Sequence, residues 1–201
     1  MALRDSLGIN RDAAVAIFVG RLGHEKSIDW LLRAFAPVCA GERKFHLLIV
    51  GDGPEKDSLV SLVRELKIEK YVTFTGKVPH SDVCKYYEIC DIFTTASLSE
   101  MMSISLLEGM ASGAVPILRF DEKNAAQISD GESGYYYRTP EEFAKLFYMT
   151  ADLPEEEKIE LRRKVRAAAE SLDAQNGVKV MLELYEKAIE MNKTKNDLCK
   201  K

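Results

Sequence analysis

Two glutamates eight positions apart, Glu100 and Glu108, bracket the run Ser103-Ile104-Ser105-Leu106-Leu107. If that segment is mostly helical, its rise of 1.5 Å per residue puts the carboxylates at most ~12 Å apart along the axis. Hydrolysis by a carboxylate pair across one glycosidic bond needs about 5–9.5 Å. That chemistry is excluded, and the pair suits two parts of one extended ligand instead. Glu108 stands among Leu106, Leu107 and Met110, so its carboxylate must reach a cleft or be paired. On spacing alone a plainer reading does better: two acidic residues near a helix N-terminus, where the dipole favours them.

A second constellation is Gly20-Arg21-Leu22-Gly23-His24-Glu25-Lys26. Glycines that let a backbone approach closely, with Arg21 and Lys26 supplying charge ahead of a helix, can cradle a diphosphate. A loop with solvated basic residues explains the same letters equally well. The spacing matches neither a Walker loop nor a G-x-G-x-x-G fingerprint. Gly51-Asp52-Gly53-Pro54 reads first as a turn, because Gly followed by Pro at a helix start needs no ligand. Gly76-Lys77-Val78 exposes backbone groups after a strand. Cys84 and Cys90, six apart with His80 nearby, lack zinc-ligand spacing, and reduced, buried thiols are the far better reading.

These loops sit between regular elements. Val15–Val19, Phe45–Val50, Tyr71–Phe74, Ile92–Thr95, Val115–Leu118 and Tyr135–Tyr137 are apolar, β-rich runs that predict buried parallel strands. Helical periodicity alternates with them: a helix capped by Ser27, one opened by Pro54 and running to about Lys67, and Ser81–Ile89. Next come Ser103–Ser112, stopped by Gly113, and a short helical turn around Asn124–Ile128. From Pro140 onward only helices are expected: Glu141–Ala151, Pro154–Leu172 and Gly177–Met191, then a fraying lysine-rich tail, Asn192–Lys201. The predicted fold is α/β, a Rossmann-like parallel sheet of about six strands with helices on both faces and a helical C-terminal tail.

With 201 residues, 46% hydrophobic and 30% charged, the chain can bury a core without a disulfide or metal. A net charge of −4 argues against a nucleic-acid binder. The longest apolar run, Ala13–Val19, is far short of the ~20 residues that span a bilayer, and no signal peptide is evident. A cytoplasmic location is the default expectation.

Taken in order, Phe18-Val19-Gly20-Arg21-Leu22 with Glu25-Lys26, Ile49-Val50-Gly51-Asp52-Gly53-Pro54, Phe74 with Gly76 and Val78, and Glu100-x7-Glu108-Gly109-Met110-Ala111-Ser112-Gly113 resemble the donor-binding domain of family 4 glycosyltransferases. These are retaining enzymes of the GT-B fold. The resemblance runs from about Val15 to Tyr137, and the helical tail also fits. It implies that Arg21 and Lys26 hold the diphosphate of a nucleotide-sugar beside the Gly20 backbone, and that Glu108 accepts hydrogen bonds from the ribose hydroxyls. Glu100 would contact the sugar. Backbone around Lys77 and Val78 would meet the nucleobase, and the amides of Ser103, Ile104 and Ser105 would meet phosphate. A UDP-sugar is the favoured donor and no bound metal is needed. The product side would be a bacterial-type polysaccharide or glycolipid.

Two features depart from the family pattern. Ser103 and Met102 stand where relatives carry glycine and a bulky aromatic. Arg119-Phe120-Asp121-Glu122-Lys123-Asn124 replaces a Gly-Gly-x-x-Glu loop, with Lys123 and Asn124 as candidate substitutes. The resemblance further implies that residues 1–191 are one donor-binding half of a GT-B enzyme, inactive without an N-terminal acceptor domain. Peripheral association of the full-length enzyme with the inner face of a membrane fits the same picture. A non-catalytic nucleotide-binding regulatory module, and half of a sugar-nucleotide epimerase, are the competing classes.

Overall fold

The computed structural model describes residues 2–41, 44–98, 103–123 and 125–171. Helix α1 (Ala2–Ser6) precedes strand β1 (Ala14–Val19), helix α2 (Ile28–Phe35), strand β2 (Phe45–Val50) and helix α3 (Lys56–Glu65). Strand β3 (Val72–Gly76), helix α4 (His80–Tyr87), strand β4 (Ile92–Thr95) and helix α5 (Ile104–Ser112) follow. Strands β5 (Val115–Arg119) and β6 (Tyr135–Tyr137) and helices α6 (Pro140–Asp152) and α7 (Glu155–Ser171) close the described chain. All pairings between neighbouring strands are parallel, in the order β3-β2-β1-β4-β5-β6. The predicted Rossmann-like fold class holds.

Alternation along the strands assigns the two faces. Ala16 and Phe18 of β1 and Leu47 and Ile49 of β2 enter one core with α2, α3 and α6. Val15 and Ile17, with Leu48 and Val50, enter a second core with α4, α5 and α7. Strands buried on both faces cannot alternate apolar with polar, which is why they read as unbroken apolar runs. The first core is aromatic: Phe147 meets Phe35, Phe45 and Phe143 within 5.7 Å between ring centroids.

Several local expectations need correction. Ser27 occupies the N-cap of α2 in a left-handed conformation (φ 48°) with no side-chain cap bond, because the preceding 3₁₀ turn His24–Lys26 must be reversed there. The helix expected from Pro54 starts at Lys56, with the backbone N–H of Lys56 closing a turn onto Gly53. Residues 122–123 and 125–126 form turns, not a helical turn of Asn124–Ile128; Asn124 itself lies outside the described residues. So do the expected helix Gly177–Met191 and the tail Asn192–Lys201.

Helix α1 was not legible. It is held by a distant contact: the Arg4 guanidinium donates to the Ile89 carbonyl at 2.6 and 3.0 Å. On α7, Arg162 donates to the Gly113 and Cys90 carbonyls, and Arg166 donates to Ser112, so two cations meet the negative end of α5.

Candidate functional site

In this strand order the chain turns outward in opposite directions from β1 and β4, which lie side by side. A crevice therefore opens beyond their carboxyl ends, the place where open α/β sheets receive ligands. The two constellations singled out in the sequence leave the sheet there: Gly20–Lys26 after β1, and the segment into α5 after β4.

The first loop is fixed by its neighbours. Gly20 N–H donates to Val50 O at 3.0 Å, Leu22 N–H to Asp52 O at 3.0 Å, and Glu55 N–H to Leu22 O at 3.0 Å. The loops after β1 and β2 are thus laced together, and Leu22 is fully buried between them. Gly53 is required because a Cβ there would stand 2.4 Å from Leu22 O. Arg21 is exposed and Lys26 half-buried at the end of the 3₁₀ turn. Asp52 accepts from Gly53 N–H at 2.8 Å and lies 3.3 Å from Lys56 Nζ. The Gly53 bond, then Lys56, hold its carboxyl below the usual range, so the carboxylate is engaged within its own turn while the backbone of that turn is bonded to the first loop.

Across the switch point, Ser97 Oγ donates to Glu25 O at 3.2 Å and joins the two loops directly. Ser103 caps α5, its Oγ accepting from Leu106 N–H at 3.4 Å and lying 2.8 Å from Ser105 Oγ. Ile104 is 74% exposed in the first turn, an apolar side chain facing outward beside the helix N-terminus. Gly113 ends α5 at φ 86°, as read from the sequence.

Glu108, one turn inside α5, is 31% exposed along its side chain. Its Oε2 accepts from the Tyr87 hydroxyl at 3.1 Å, and its Oε1 lies 3.6 Å from His80 Nε2, a pair that is ionic when the imidazole is protonated. These three residues line a cleft of about 410 Å³ between α4 and α5. Burial, then the negative charge of Glu108, push the Tyr87 phenol well above its ordinary range, so it stays a neutral donor. Lys77 is exposed and Val78 half-buried against the second core, on the segment leading to His80.

The structure therefore gathers Gly20, Arg21, Lys26, Ser103, Ile104, Ser105 and Glu108 along one edge, with Lys77 and Val78 beside them. Glu100 lies outside the described residues, as does Met102. Spacing alone favoured an acidic residue placed near a helix N-terminus; the structure shows Glu108 paired with Tyr87 and beside His80 in a cleft. Neither partner was assigned this part from the sequence. The signal available was the pair Tyr86 and Tyr87 inside a predicted helix: both pack on the second core, and only Tyr87 is buried. Among the described residues no three His, Cys, Asp or Glu side chains converge as a metal site. Cys90 is buried, its thiol 3.0 Å from Tyr86 O, whereas Cys84 is exposed. A second cavity, of about 360 Å³, lies at the opposite edge of the sheet, where Arg4 and Arg162 are engaged by backbone carbonyls.

A doubly wound α/β domain with a polar, glycine-lined edge at its β1/β4 switch point is the class that fold and site define. Residues 2–172 match the family described as glycosyl transferases group 1, and the chain belongs to that family. It is 37% identical over 144 residues to an alpha-monoglucosyldiacylglycerol synthase of Acholeplasma laidlawii, covering 72% of this chain and 36% of that protein. A synthase of the same name from Streptococcus pneumoniae is 32% identical over 202 residues, covering 98% of this chain and 44% of that one. The chain thus spans less than half the length of these relatives. Among solved structures, Anabaena HepE in complex with UDP and glucose superposes with a TM-score of 0.77 at 20% identity, covering 92% of this chain and 51% of HepE. Among the described residues no helix is long and apolar enough to cross a membrane.

Proposed function

We propose that the chain is the donor-binding domain of a retaining glycosyltransferase that moves a hexosyl group from a nucleoside-diphosphate sugar, a UDP-sugar by preference, to a carbohydrate or lipid acceptor. One observation carries the reading: the strand order brings the Arg21/Lys26 loop and the N-terminal turn of α5, with Glu108, to the same edge of the sheet. Arg21 and Lys26 receive the diphosphate together with the Gly20 backbone and the amides of Ser103, Ile104 and Ser105. Glu108 accepts from the ribose hydroxyls, and backbone at Lys77 and Val78 meets the base. Glu100 contacts the sugar.

As the bond from the anomeric carbon to the β-phosphate oxygen breaks, negative charge grows on the leaving diphosphate. The two cations and the helix dipole stabilise that charge in place and without a bound metal. The acceptor hydroxyl attacks from the face the diphosphate leaves and gives its proton to the departing phosphate oxygen, so configuration is retained. We place the acceptor on a second domain, in keeping with the share of the relatives' length that this chain covers, and expect no transfer from this domain alone. The synthase names of the relatives support a lipid acceptor, and with it work at a membrane surface; we place the enzyme in the cytoplasm, at the inner face of that membrane.

Thermal denaturation with millimolar UDP, GDP and ADP tests the donor site. Ligand at 100 times its Kd adds about 2.7 kcal/mol and raises the midpoint by roughly 5–10 °C. The expected result is a shift with UDP that Glu108→Ala abolishes. No shift with any of the three nucleotides overturns the reading.

A further inference from the structure

The Tyr87 side chain is 2% exposed, in the core between α4 and the sheet. A phenylalanine would fill that space as well, so packing does not explain the hydroxyl. Nor does satisfaction of the backbone. The hydroxyl lies 3.0 Å from Ser105 O, but a carbonyl inside a helix already accepts the N–H four residues on. The hydroxyl has one proton, and of the two acceptors in its reach the charged one, Glu108 Oε2 at 3.1 Å and one turn along the same helix, is the stronger.

Glu108 projects from α5 with three rotatable bonds, part of its side chain in water. Left to itself it would sample several rotamers. With Oε2 held from below by a buried donor, Oε1 is turned outward, 3.6 Å from the exposed His80 imidazole. The carboxylate then offers one oxygen, in a fixed direction, to a ligand arriving at the sheet edge.

We propose that Tyr87 is a positioning residue for donor recognition: its hydroxyl orients the Glu108 carboxylate toward the vicinal hydroxyls of the donor's ribose. This rests on the donor-site reading above. Tyr87 does not touch the ligand and acts only through Glu108, which gives the test its form. The hydroxyl's contribution must vanish when the carboxylate is absent.

The experiment is a double-mutant cycle on the full chain, with UDP as the probe and calorimetric Kd as the readout. Tyr87→Phe should weaken UDP about five- to tenfold when Glu108 is present, the size of one net hydrogen bond. In the Glu108→Ala background the same change should cost less than about twofold, the coupling such cycles isolate. Equal losses in both backgrounds, or no loss in either while Glu108→Ala still weakens UDP, overturn the positioning role and leave the donor site standing. If UDP fails to bind, or binds equally well to Glu108→Ala, the donor reading falls and this inference with it. Should Tyr87→Phe not fold, 3-fluorotyrosine at position 87 supplies a second measurement. Its fluorine resonance should move on UDP saturation, and a stationary resonance refutes the contact.

Discussion

Gly51 is where the loops after β1 and β2 come closest, and an added methyl group measures how closely they must stay. The residue has φ 142°, a conformation L side chains rarely adopt, and an ideal Cβ would lie 1.9 Å from Gly20 O. Backbone, not a yielding side chain, is in the way. To reach ordinary contact the two loops must part by more than an ångström, against the bonds from Gly20 N–H to Val50 O and from Gly51 N–H to Gly76 O. The backbone strain costs about 1–3 kcal/mol, and forcing packed groups apart costs about 1–3 kcal/mol more. Gly51→Ala should therefore lose about 4 kcal/mol, lowering the midpoint by roughly 8–16 °C in a chain of this size.

Gly131→Ala is the matched control. It too has a positive φ, 80°, but nothing lies within 4 Å of its Cβ, so it bears the backbone term of about 1–2 kcal/mol alone. Differential scanning calorimetry of the two variants compares them. If Gly51→Ala melts with Gly131→Ala, the tight junction of the loops at Gly20 does not hold the first loop in place, and the account of how the site is built fails.

Two further sites probe the scaffold. His46 is buried 2.9 Å from Thr73 Oγ1, and burial, then the charge of Arg4, lower its pKa to about 4. The unfolded chain takes up this proton near pH 6.5 while the fold refuses it, so stability is complete above 6.5 and falls as pH drops to 4, by about 3 kcal/mol in total. Urea titrations at stepped pH should show that slope in the parent and a flatter one in His46→Gln; parallel curves would refute the assignment. In α5, a Cβ at Gly109 would stand 2.8 Å from the Phe93 ring and 3.2 Å from its Cβ. The helix-propensity gain of about 1 kcal/mol from Gly109→Ala should lose to overpacking of about 1–3 kcal/mol. Phe93→Leu in the same chain should recover part of that loss, as read from urea midpoints.

Where the sequence spoke clearly, it did so for a physical reason. Phe45–Val50, Ile92–Thr95 and Tyr135–Tyr137 were legible residue for residue, because a strand covered on both faces is apolar or β-prone throughout, its few polar residues (His46, Thr94 and Thr95) being buried with the rest. Helix α5 was nearly as plain: its stop, Gly113, is a single residue with local geometry, and Ser103, read as the first helical residue, is its cap. The left-handed Ser27 and the five-residue α1 were not legible, since each depends on groups remote in the chain or on a turn that composition does not mark. The same division runs through the site. Glycines and cations in loops announce themselves by type. The partnership of Tyr87 with Glu108 is a contact between two helices, 21 positions apart, and becomes visible only when both are packed on the same face of the sheet.

The clasp of Arg162 on the carbonyls of Cys90 and Gly113 also sets an order of events during synthesis. The β4 strand and α5 leave the ribosome first, and Arg162 follows Cys90 by 72 residues and Gly113 by 49. At about 5–20 residues per second this is a wait of roughly 2–14 s. Throughout it, Phe93, Met110 and Val115 have no Leu161 or Val165 against them, and the sheet face meant for α7 is open to other chains. The interval in which this protein is most exposed to misassembly is thus written into the position of its last described helix.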